Sequence, residues 1–302
     1  MSNELKDRFL DAIRQKFGRV EKLEGSQSLY EVGATLARIY IRYSRLHERH
    51  RTFYGLRKED LRQLEGRTSF ICFLWEGQES PLILPYADYE DVFHETPPAR
   101  DGQYKTQIYL GTESTELYVA RAGRFNVDAH VGWDAIESAI RVGKDDVPAL
   151  SHRQIQTLLG SIGVLKQFDI WIPPHDRDAL DWSIADRFPC VSKLPFDSSS
   201  HILLQEIDAI WIHRGSCQLV ALYEIEHSTP VYSGLLRLND IHLVLPSVQR
   251  LAIVSNEIRR SLFVRQLHRP TFQRSGLSDS CAFLEYRDVF HWHRRVAHAR
   301  AS

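Results

Sequence analysis

The sequence predicts an α/β chain in which a mixed sheet flanked by helices forms the C-terminal half and an α+β domain precedes it. Three observations predict this class. Helical and strand-like hydrophobic periods alternate along the 302 residues. Clusters of Gly, Pro, Asp and Ser separate them. The composition, 43% hydrophobic and 25% charged, is that of a globular protein large enough for two domains.

The first half is predicted to begin with helices and to continue with strands. Apolar residues at helical spacing predict a helix over residues 3–17. A second helix is predicted over residues 29–50, because Leu36, Ile39 and Tyr43 fall on one side of it. Its other side carries arginines, namely Arg38, Arg42, Arg45, Arg49 and Arg51. Alternating apolar runs then predict strands at 69–75, 81–86, 106–111 and within 115–133.

The second half is predicted to follow a connection around Gly143 and Pro148, which gives domains of residues 1–146 and 150–302. Ser151 is expected to cap the first helix of the second domain. The segments that follow are a strand at 168–173, a surface excursion at 174–200, a hairpin at 206–226, a helix to 245, a strand at 251–255, a helix at 256–267, a strand at 281–286 and a frayed basic terminus from 291.

Three carboxylates interrupt the apolar strands of the predicted hairpin. Glu224 and Glu226 share one face, because strand side chains alternate. If residues 215–217 form a three-residue loop, Asp208 lies opposite Glu224 and the acids cluster within a buried sheet. Two carboxylates about 4 Å apart repel by roughly 4 kcal/mol at an effective dielectric constant of about 20. Convergence therefore requires a divalent ion, a Lys or an Arg; the alternative is that each acid faces solvent from a strand end.

The order of helices and strands and the Asp208…Glu224-x-Glu226 pattern resemble the PD-(D/E)XK nuclease superfamily, which has the restriction-endonuclease fold. The resemblance covers about residues 151–289. It maps the family's aspartate to Asp208 and its acid-x-Lys to Glu224-Ile225-Glu226, with Glu226 in the place of the lysine. The resemblance implies that Asp208, Glu224 and Glu226 are catalytic. It also implies that Asp208 and Glu224 bind Mg²⁺, or Mn²⁺ as a substitute, together with the Ile225 carbonyl oxygen.

The function implied by the resemblance is a Mg²⁺-dependent endonuclease that cuts DNA in a restriction or defence system. Double-stranded DNA and a homodimer are expected on the same basis. The missing lysine supports an alternative, a non-catalytic nucleic-acid-binding or regulatory protein that keeps the nuclease-like fold. A nuclease acting on RNA is a further alternative.

Nucleic-acid contacts are predicted in both halves. Arg42, Arg45 and Arg49 form the arginine stripe that would bind phosphates, although a solvated face paired with nearby acids is the competing interpretation. Ser228 and Thr229 precede a helix N-terminus, where hydroxyl and backbone N–H groups favour a phosphate. Tyr232 is expected to face either the substrate or the core.

The bulk composition excludes several classes of function. The net charge of -1 provides no overall basic field that would indicate a nucleic-acid partner. The four cysteines have no close pair, which argues against a CxxC metal site or a disulfide framework. No apolar run is long enough to cross a bilayer, and the first residues lack a secretory signal. A cytoplasmic location without a membrane partner is expected.

Overall fold

The computed structural model describes residues 2–23, 26–33, 37–48, 50–112, 114–143, 147–196, 198–227, 230–248 and 250–301. The chain divides into two compact units, residues 1–146 and 147–302. Within the described ranges, none of the helices has the length and apolar character needed to cross a bilayer.

The first unit contains two sheets. Its strands are β1 (Val20–Lys22), β2 (Leu29–Val32), β3 (Ala37–Ser44), β4 (Tyr54–Arg57), β5 (Ser69–Trp75), β6 (Leu82–Pro85), β7 (Gln103–Leu110), β8 (Thr115–Val119) and β9 (Gly123–Asn126). Its α-helices are α1 (Ser2–Phe17), α2 (Lys58–Arg62), α3 (Tyr86–Glu95) and α4 (Asp134–Gly143), and a 3₁₀ turn spans Asp128–His130. The strand orders are β1-β2-β3-β5-β6 and β4-β7-β8-β9.

The five-stranded sheet of this unit is covered on both faces. Helices α1 and α4 pack on one face through residues such as Ile13 and Ile136. The other face shares a core with the four-stranded sheet and α3, through residues such as Phe73, Phe93 and Ile108. Helix α1 confirms the helix predicted over residues 3–17. Strands β5 to β9 confirm the strands predicted at 69–75, 81–86, 106–111 and within 115–133.

The helix predicted over residues 29–50 is wrong. This segment forms β2 and β3, and β3 pairs with β2 on one side and in parallel with β5 on the other. The ARIYIRYS run is dominated by β-branched and aromatic residues, which favour a strand buried on both faces. Arginines three or four residues apart satisfy a helical template by coincidence, and Arg45 already lies beyond the end of the strand.

The second unit is built on one five-stranded sheet. Its strands are β10 (Phe168–Trp171), β11 (Ala209–His213), β12 (Leu219–Ile225), β13 (Arg250–Ser255) and β14 (Cys281–Glu285), in that order across the sheet. Its α-helices are α5 (His152–Leu165), α6 (Pro174–Arg177), α7 (Ser198–Leu204), α8 (Val231–Val244), α9 (Arg260–Leu267), α10 (Pro270–Ser275), α11 (Leu277–Ser280) and α12 (Tyr286–Ala301), and a 3₁₀ turn spans Glu257–Arg259.

The sheet of the second unit is mixed and flanked by helices, as the sequence predicts. Strands β10, β11 and β12 are antiparallel, whereas β12, β13 and β14 are parallel. A parallel connection requires a crossover, and α8 provides the one between β12 and β13. Helices α5 and α12 cover one face, and α8, α9 and α10 cover the other. Both faces of β12 are therefore buried.

One further expectation for this unit is wrong, and a second holds only in part. The C-terminal segment is not frayed: it forms α12, in which Trp292 is 1% exposed and packs near Trp211. The excursion after β10 lies mostly at the surface, as predicted, but Asp176 is buried and accepts a hydrogen bond from Gln156 and pairs with Arg153. In both cases α5 supplies the covering residues, which no local pattern of the segments indicates.

Candidate active site

The hairpin of β11 and β12 places the three predicted acids close together. Ala209 pairs with Tyr223, so the next position places Asp208 opposite Glu224, as the sequence predicts. A bulge between Trp211 and Ile212 shifts the register further along the hairpin. On the turn side of the bulge Ile212 pairs with Leu219 and the His213 N–H donates to the Gln218 carbonyl oxygen, so the loop is one residue longer than the predicted 215–217. The bulge offsets this extra residue, and Asp208 keeps its predicted alignment with Glu224.

Glu224 and Glu226 are buried on the face of the sheet that α8 covers. Their side chains are 0% and 1% exposed. The helix passes so near that a Cβ atom on Gly234 would overlap the Glu226 carboxylate and lie 2.9 Å from Ile253 Cδ1. A glycine at this position therefore makes room for the buried carboxylate.

Asp208 is held in place from three directions. Its Oδ2 accepts a hydrogen bond from the Ile225 backbone N–H at 2.7 Å, and its carbonyl oxygen accepts one from Gln156 Nε2 at 2.8 Å. His152 Nε2 lies 3.3 Å from Asp208 Oδ1. The first turns of α5 thus contact the carboxylate through His152 and hold the Asp208 backbone through Gln156.

Arg237, on α8, provides the positive charge that the cluster requires. Its Nε donates to Glu224 Oε1 at 2.9 Å and its Nη2 to Glu224 Oε2 at 2.6 Å. The same Nη2 lies 3.8 Å from Glu226 Oε1. Its charge also interacts with that of Asp208, so all three acids lie within electrostatic reach of one guanidinium. This arrangement rules out the interpretation that each acid faces solvent separately.

Burial and the neighbouring charges act on Glu224 in opposite directions. Desolvation is the largest effect and raises the pKa of the Glu224 carboxyl to about 8. The hydrogen bond from Arg237 lowers this pKa, whereas the charges of Asp208 and Glu226 raise it. The hydrogen bond to Glu224 in turn raises the pKa of Arg237. A cation at this site therefore favours the ionised form of Glu224.

The end of β12 is bordered by Tyr286, His227 and Arg259. Tyr286 OH lies 3.1 Å from His227 Nδ1, and the two rings are stacked with centroids 5.9 Å apart. Burial raises the pKa of Tyr286, and the charges of Asp208 and Glu226 act in the same direction. Arg259 Nη1 donates to the carbonyl oxygens of Glu226 and His227, at 2.9 and 3.0 Å. These contacts fix the backbone where the strand leaves the sheet.

Tyr232, another predicted site residue, packs away from the acids. Tyr232 is half-buried, 5.8 Å from the Phe272 ring, and Arg269 lies over it. Tyr232 therefore faces the core. Ser228 and Thr229 lie outside the described residues, and α8 begins at Val231 after Pro230.

The arginine stripe predicted in the first half does not exist as a stripe. Arg38 is 4% exposed and pairs with Glu31 and the Gln63 carbonyl oxygen. Arg42 is half-buried and lies over the Tyr40 ring, and Arg45 is exposed beyond the end of β3. Arg49 lies outside the described residues.

Sequence reasoning did not identify His152 or Tyr286 as neighbours of the acids, and it did not pair Arg237 with Glu224. His152 follows the Ser151 cap, and the capping box formed with Gln154 is recognisable from the sequence. That signal locates the start of α5 but not the strand end that it approaches. The contact is a consequence of tertiary packing.

Hard carboxylate oxygens are the ligands that Mg²⁺ prefers, and Asp208 and Glu224 supply them here. Within the part of the chain that the structure describes, no cluster of three or more His, Cys, Asp or Glu side chains is arranged to hold a metal ion. The donor chemistry of the two predicted ligands fits a divalent cation. Both Glu224 oxygens accept hydrogen bonds from Arg237, so a cation binding there would compete with that guanidinium.

Comparison with known proteins places the second unit in a family. A 32% identical relative over 133 residues is the "Type II restriction enzyme NmeDI" of Neisseria meningitidis serogroup C, covering 40% of this chain and 37% of that protein. No solved structure matches the chain. The family model described as the type II restriction enzyme NmeDI C-terminal domain matches residues 138–294, more than half of the 302 residues. The chain belongs to this restriction endonuclease family.

Proposed function

We propose that the chain is a Mg²⁺-dependent endonuclease of a restriction system that hydrolyses phosphodiester bonds of double-stranded DNA. The observation that carries the proposal is the convergence of Asp208, Glu224 and Glu226 at one end of the β11–β12 hairpin, within a segment matched by a restriction-enzyme family. The PD-(D/E)XK mechanism is part of the proposal, as are the homodimer and a first unit that grips DNA.

Each acid has a distinct role in the proposed reaction. Asp208 and Glu224 would hold the divalent cation through their carboxylate oxygens. When bound, Mg²⁺ supplies a lowered pKa for water and positive charge near the phosphate. Glu226, which lies on the same face as Glu224, would orient the attacking water and accept its proton. His152 would keep Asp208 in position through the 3.3 Å contact.

The proposal is tested by cleavage of plasmid DNA with the full chain and Mg²⁺ or Mn²⁺. Asp208→Asn and Glu224→Gln should abolish cleavage while binding to DNA under chelator remains. Asp240→Asn changes an exposed acid on α8 and should leave both measurements unchanged. Cleavage by Asp208→Asn at the wild-type rate would exclude the proposed site.

The alternative of a non-catalytic DNA-binding or regulatory protein also has a specific observation behind it. Arg237 already occupies both oxygens of Glu224, and Glu226 stands where the resembling family has lysine. Under this alternative, Mg²⁺ and Mn²⁺ should leave the melting temperature of the full chain unchanged, whereas true ligands raise it by mass action. Parallel assays on RNA and DNA distinguish the two substrates.

A further inference from the structure

Arg237 occupies an unusual position among the charged residues of the site. Its side chain is 46% exposed, whereas the two carboxylates it faces are 0% and 1% exposed. Arg237 donates two hydrogen bonds to Glu224, of 2.9 and 2.6 Å, one to each carboxylate oxygen. Together they form a bidentate contact, the geometry of a strong guanidinium–carboxylate pair. An exposed arginine on a helix has solvent into which it can rotate, but a buried carboxylate has no such freedom.

The oxygens that Arg237 uses are those that a divalent cation would need. Each carboxylate oxygen has two lone pairs, but Glu224 is fully buried and Arg237 occupies its bidentate edge, so a metal ion approaching the same two oxygens would compete with the guanidinium. Removing either cation without replacement would leave Glu224 buried and uncompensated, which is strongly unfavourable. The two cations are therefore alternatives in one site.

We propose that Arg237 is a resident counter-ion that competes with the divalent cation for Glu224. The inference rests on the proposed function, because it concerns the same carboxylates. In the metal-free chain Arg237 holds the Glu224 carboxyl group in position through its two hydrogen bonds. Metal binding then requires the guanidinium to rotate toward solvent, and the apparent metal affinity is reduced by the cost of that exchange.

The test is calorimetric titration of Mn²⁺ into the full chain and its variants, which measures metal affinity rather than activity. Arg237→Gln removes the competing guanidinium and should bind Mn²⁺ at least about tenfold more tightly than the wild type. A tenfold change in affinity is the effect expected from the loss of one moderate competing interaction. Arg237→Lys keeps the positive charge, but its ammonium group cannot form the bidentate contact with both oxygens. The Mn²⁺ affinity of this variant should therefore lie between those of the wild type and Arg237→Gln. Arg265→Gln removes an exposed arginine from α9 and should change the affinity by less than about twofold.

The outcomes separate this inference from the function on which it rests. Equal or weaker binding by both Arg237 variants, with a wild-type chain that binds Mn²⁺ and cuts DNA, overturns the competition and leaves the endonuclease intact. Absence of Mn²⁺ binding in every variant overturns the competition and also the proposed ligands. If Arg237→Gln does not fold, the comparison of wild type with Arg237→Lys decides the question.

The four-stranded sheet of the first unit supports a second, independent inference. Its strands alternate between a core face, with Tyr54, Leu56, Ile108 and Leu117, and an outer face whose side chains are exposed or half-buried. Side chains of the outer face and its continuation before β4 are Phe53, Arg57, Gln103, Lys105, Gln107, Tyr109, Glu116, Tyr118, Arg124 and Asn126.

Cationic groups and aromatic rings are interleaved on this outer face. The Arg124 guanidinium lies 4.2 Å from the centroid of the Tyr109 ring, and Tyr118 is the next ring along at 6.4 Å. Arg51 lies over Phe53 at 5.2 Å, and Phe53 is 42% exposed. Such stacking holds guanidinium groups in fixed positions while leaving their edges available to a ligand.

The charge of the outer face is positive, although the whole chain carries a net charge of -1. Among the described residues on and beside this face, the four cations Arg51, Arg57, Lys105 and Arg124 outnumber the acids Glu116, Asp101 and Asp128 by one. Arg124 pairs with Glu116 and Lys105 with Asp101, but exposed ion pairs of this kind are weak and exchange readily for a phosphate.

We infer that this outer face binds the phosphate backbone of DNA. The inference rests on the proposed function and names the surface by which the first unit would hold its substrate. Phosphate contacts of this kind position a protein without reading sequence.

The test measures affinity for a short DNA duplex as a function of salt, in chelator so that cleavage does not interfere. Arg57→Gln/Arg124→Gln should weaken binding at least tenfold and reduce the slope of log K against log salt by about 1.8 if both residues contact phosphates. Arg8→Gln/Arg14→Gln removes two arginines of α1 and should change neither quantity.

Three results would overturn the inference. Unchanged affinity and slope in the Arg57→Gln/Arg124→Gln variant, with a wild-type chain that binds DNA, excludes this surface alone. A change of oligomeric state by the same variant, without loss of DNA affinity, assigns the surface to a protein partner. A wild-type chain that binds no DNA overturns the proposed function as well.

Discussion

Glu224 shows how one buried residue balances opposing effects. Desolvation disfavours its charged form, and the bidentate pair with Arg237 favours it. Burying a carboxylate is costly unless it is paired and hydrogen-bonded. The pairing with a half-exposed arginine satisfies the carboxylate without sealing the site, which is consistent with a site that exchanges one cation for another.

The raised pKa of Glu224 predicts a pH dependence of stability. The folded state binds this proton up to a pH of about 8, whereas the unfolded state releases it near 4.5. Between these values the folded state holds more protons, so the free energy of unfolding falls as pH rises, by up to about 1.4 kcal/mol per pH unit. Glu224→Gln removes this contribution. Urea unfolding in chelator at pH 5, 6.5 and 8 should show a shallower decline for Glu224→Gln than for the wild type.

The matched control for this measurement is Asp240→Asn, which removes an exposed acid. It should retain the wild-type slope. Identical slopes for wild type and Glu224→Gln would show that Glu224 is ionised across the whole range in the folded chain, and that the guanidinium outweighs burial.

At the residue scale, the acids were predictable and their partners were not. The two-residue period of strands places Glu224 and Glu226 on one face from the sequence alone. Arg237, His152 and Tyr286 reach the site from α8, α5 and α12. The positions of those helices over the sheet depend on packing, which the local sequence does not encode.

At the element scale, α8 is adapted to the acids beneath it. Gly234 lets the helix approach Glu226, and Arg237 follows one turn later on the side of the helix that faces Glu224. The same helix closes the core through Leu235 and Leu238. A change in the height of α8 above the sheet would therefore alter both the packing and the geometry of the acid cluster.

Gly234→Ala tests this adaptation. The added methyl group would overlap the Glu226 carboxylate and approach Ile253 Cδ1 at 2.9 Å. Overpacking of this kind costs about 1–3 kcal/mol, and the gain in helix propensity from Gly to Ala offsets about 1 kcal/mol. The free energy of unfolding should therefore fall by about 1 kcal/mol, measured by urea denaturation. Ser233→Ala on the same turn should change it by less than about 0.5 kcal/mol, and a stabilised Gly234→Ala would contradict the close packing.

The elements themselves were predicted unevenly, for physical reasons. Ser151 and its capping box mark the start of α5, and the LAIVS run has the composition of the buried parallel strand β13. The segment 29–50 failed because its arginines match a helical period while its β-branched and aromatic residues decide the structure. The terminal helix α12 failed because its basic residues suggested solvent, although Trp292 is buried.

At the scale of the whole molecule, the second unit supplies from its own residues the helices and core side chains that cover both faces of its sheet. Both core clusters that flank β12 consist of residues from 147 onward. The predicted catalytic acids and their partners Arg237, His152 and Tyr286 also belong to this unit. The outer face of the four-stranded sheet belongs to the first unit instead.

This division predicts that a fragment of residues 147–302 folds alone. A unit with a complete core of its own should unfold cooperatively in urea and keep an ordered near-UV signal from Trp211 and Trp292.

Under the proposals above, the fragment should bind Mn²⁺ with the affinity of the full chain, within about threefold, because its ligands are intact. Its affinity for a DNA duplex should fall, because the outer face of the first unit is absent. A fragment that binds DNA as tightly as the full chain would place the main contacts in the second unit, whereas a fragment that lacks cooperative unfolding would show that the second core depends on the first unit.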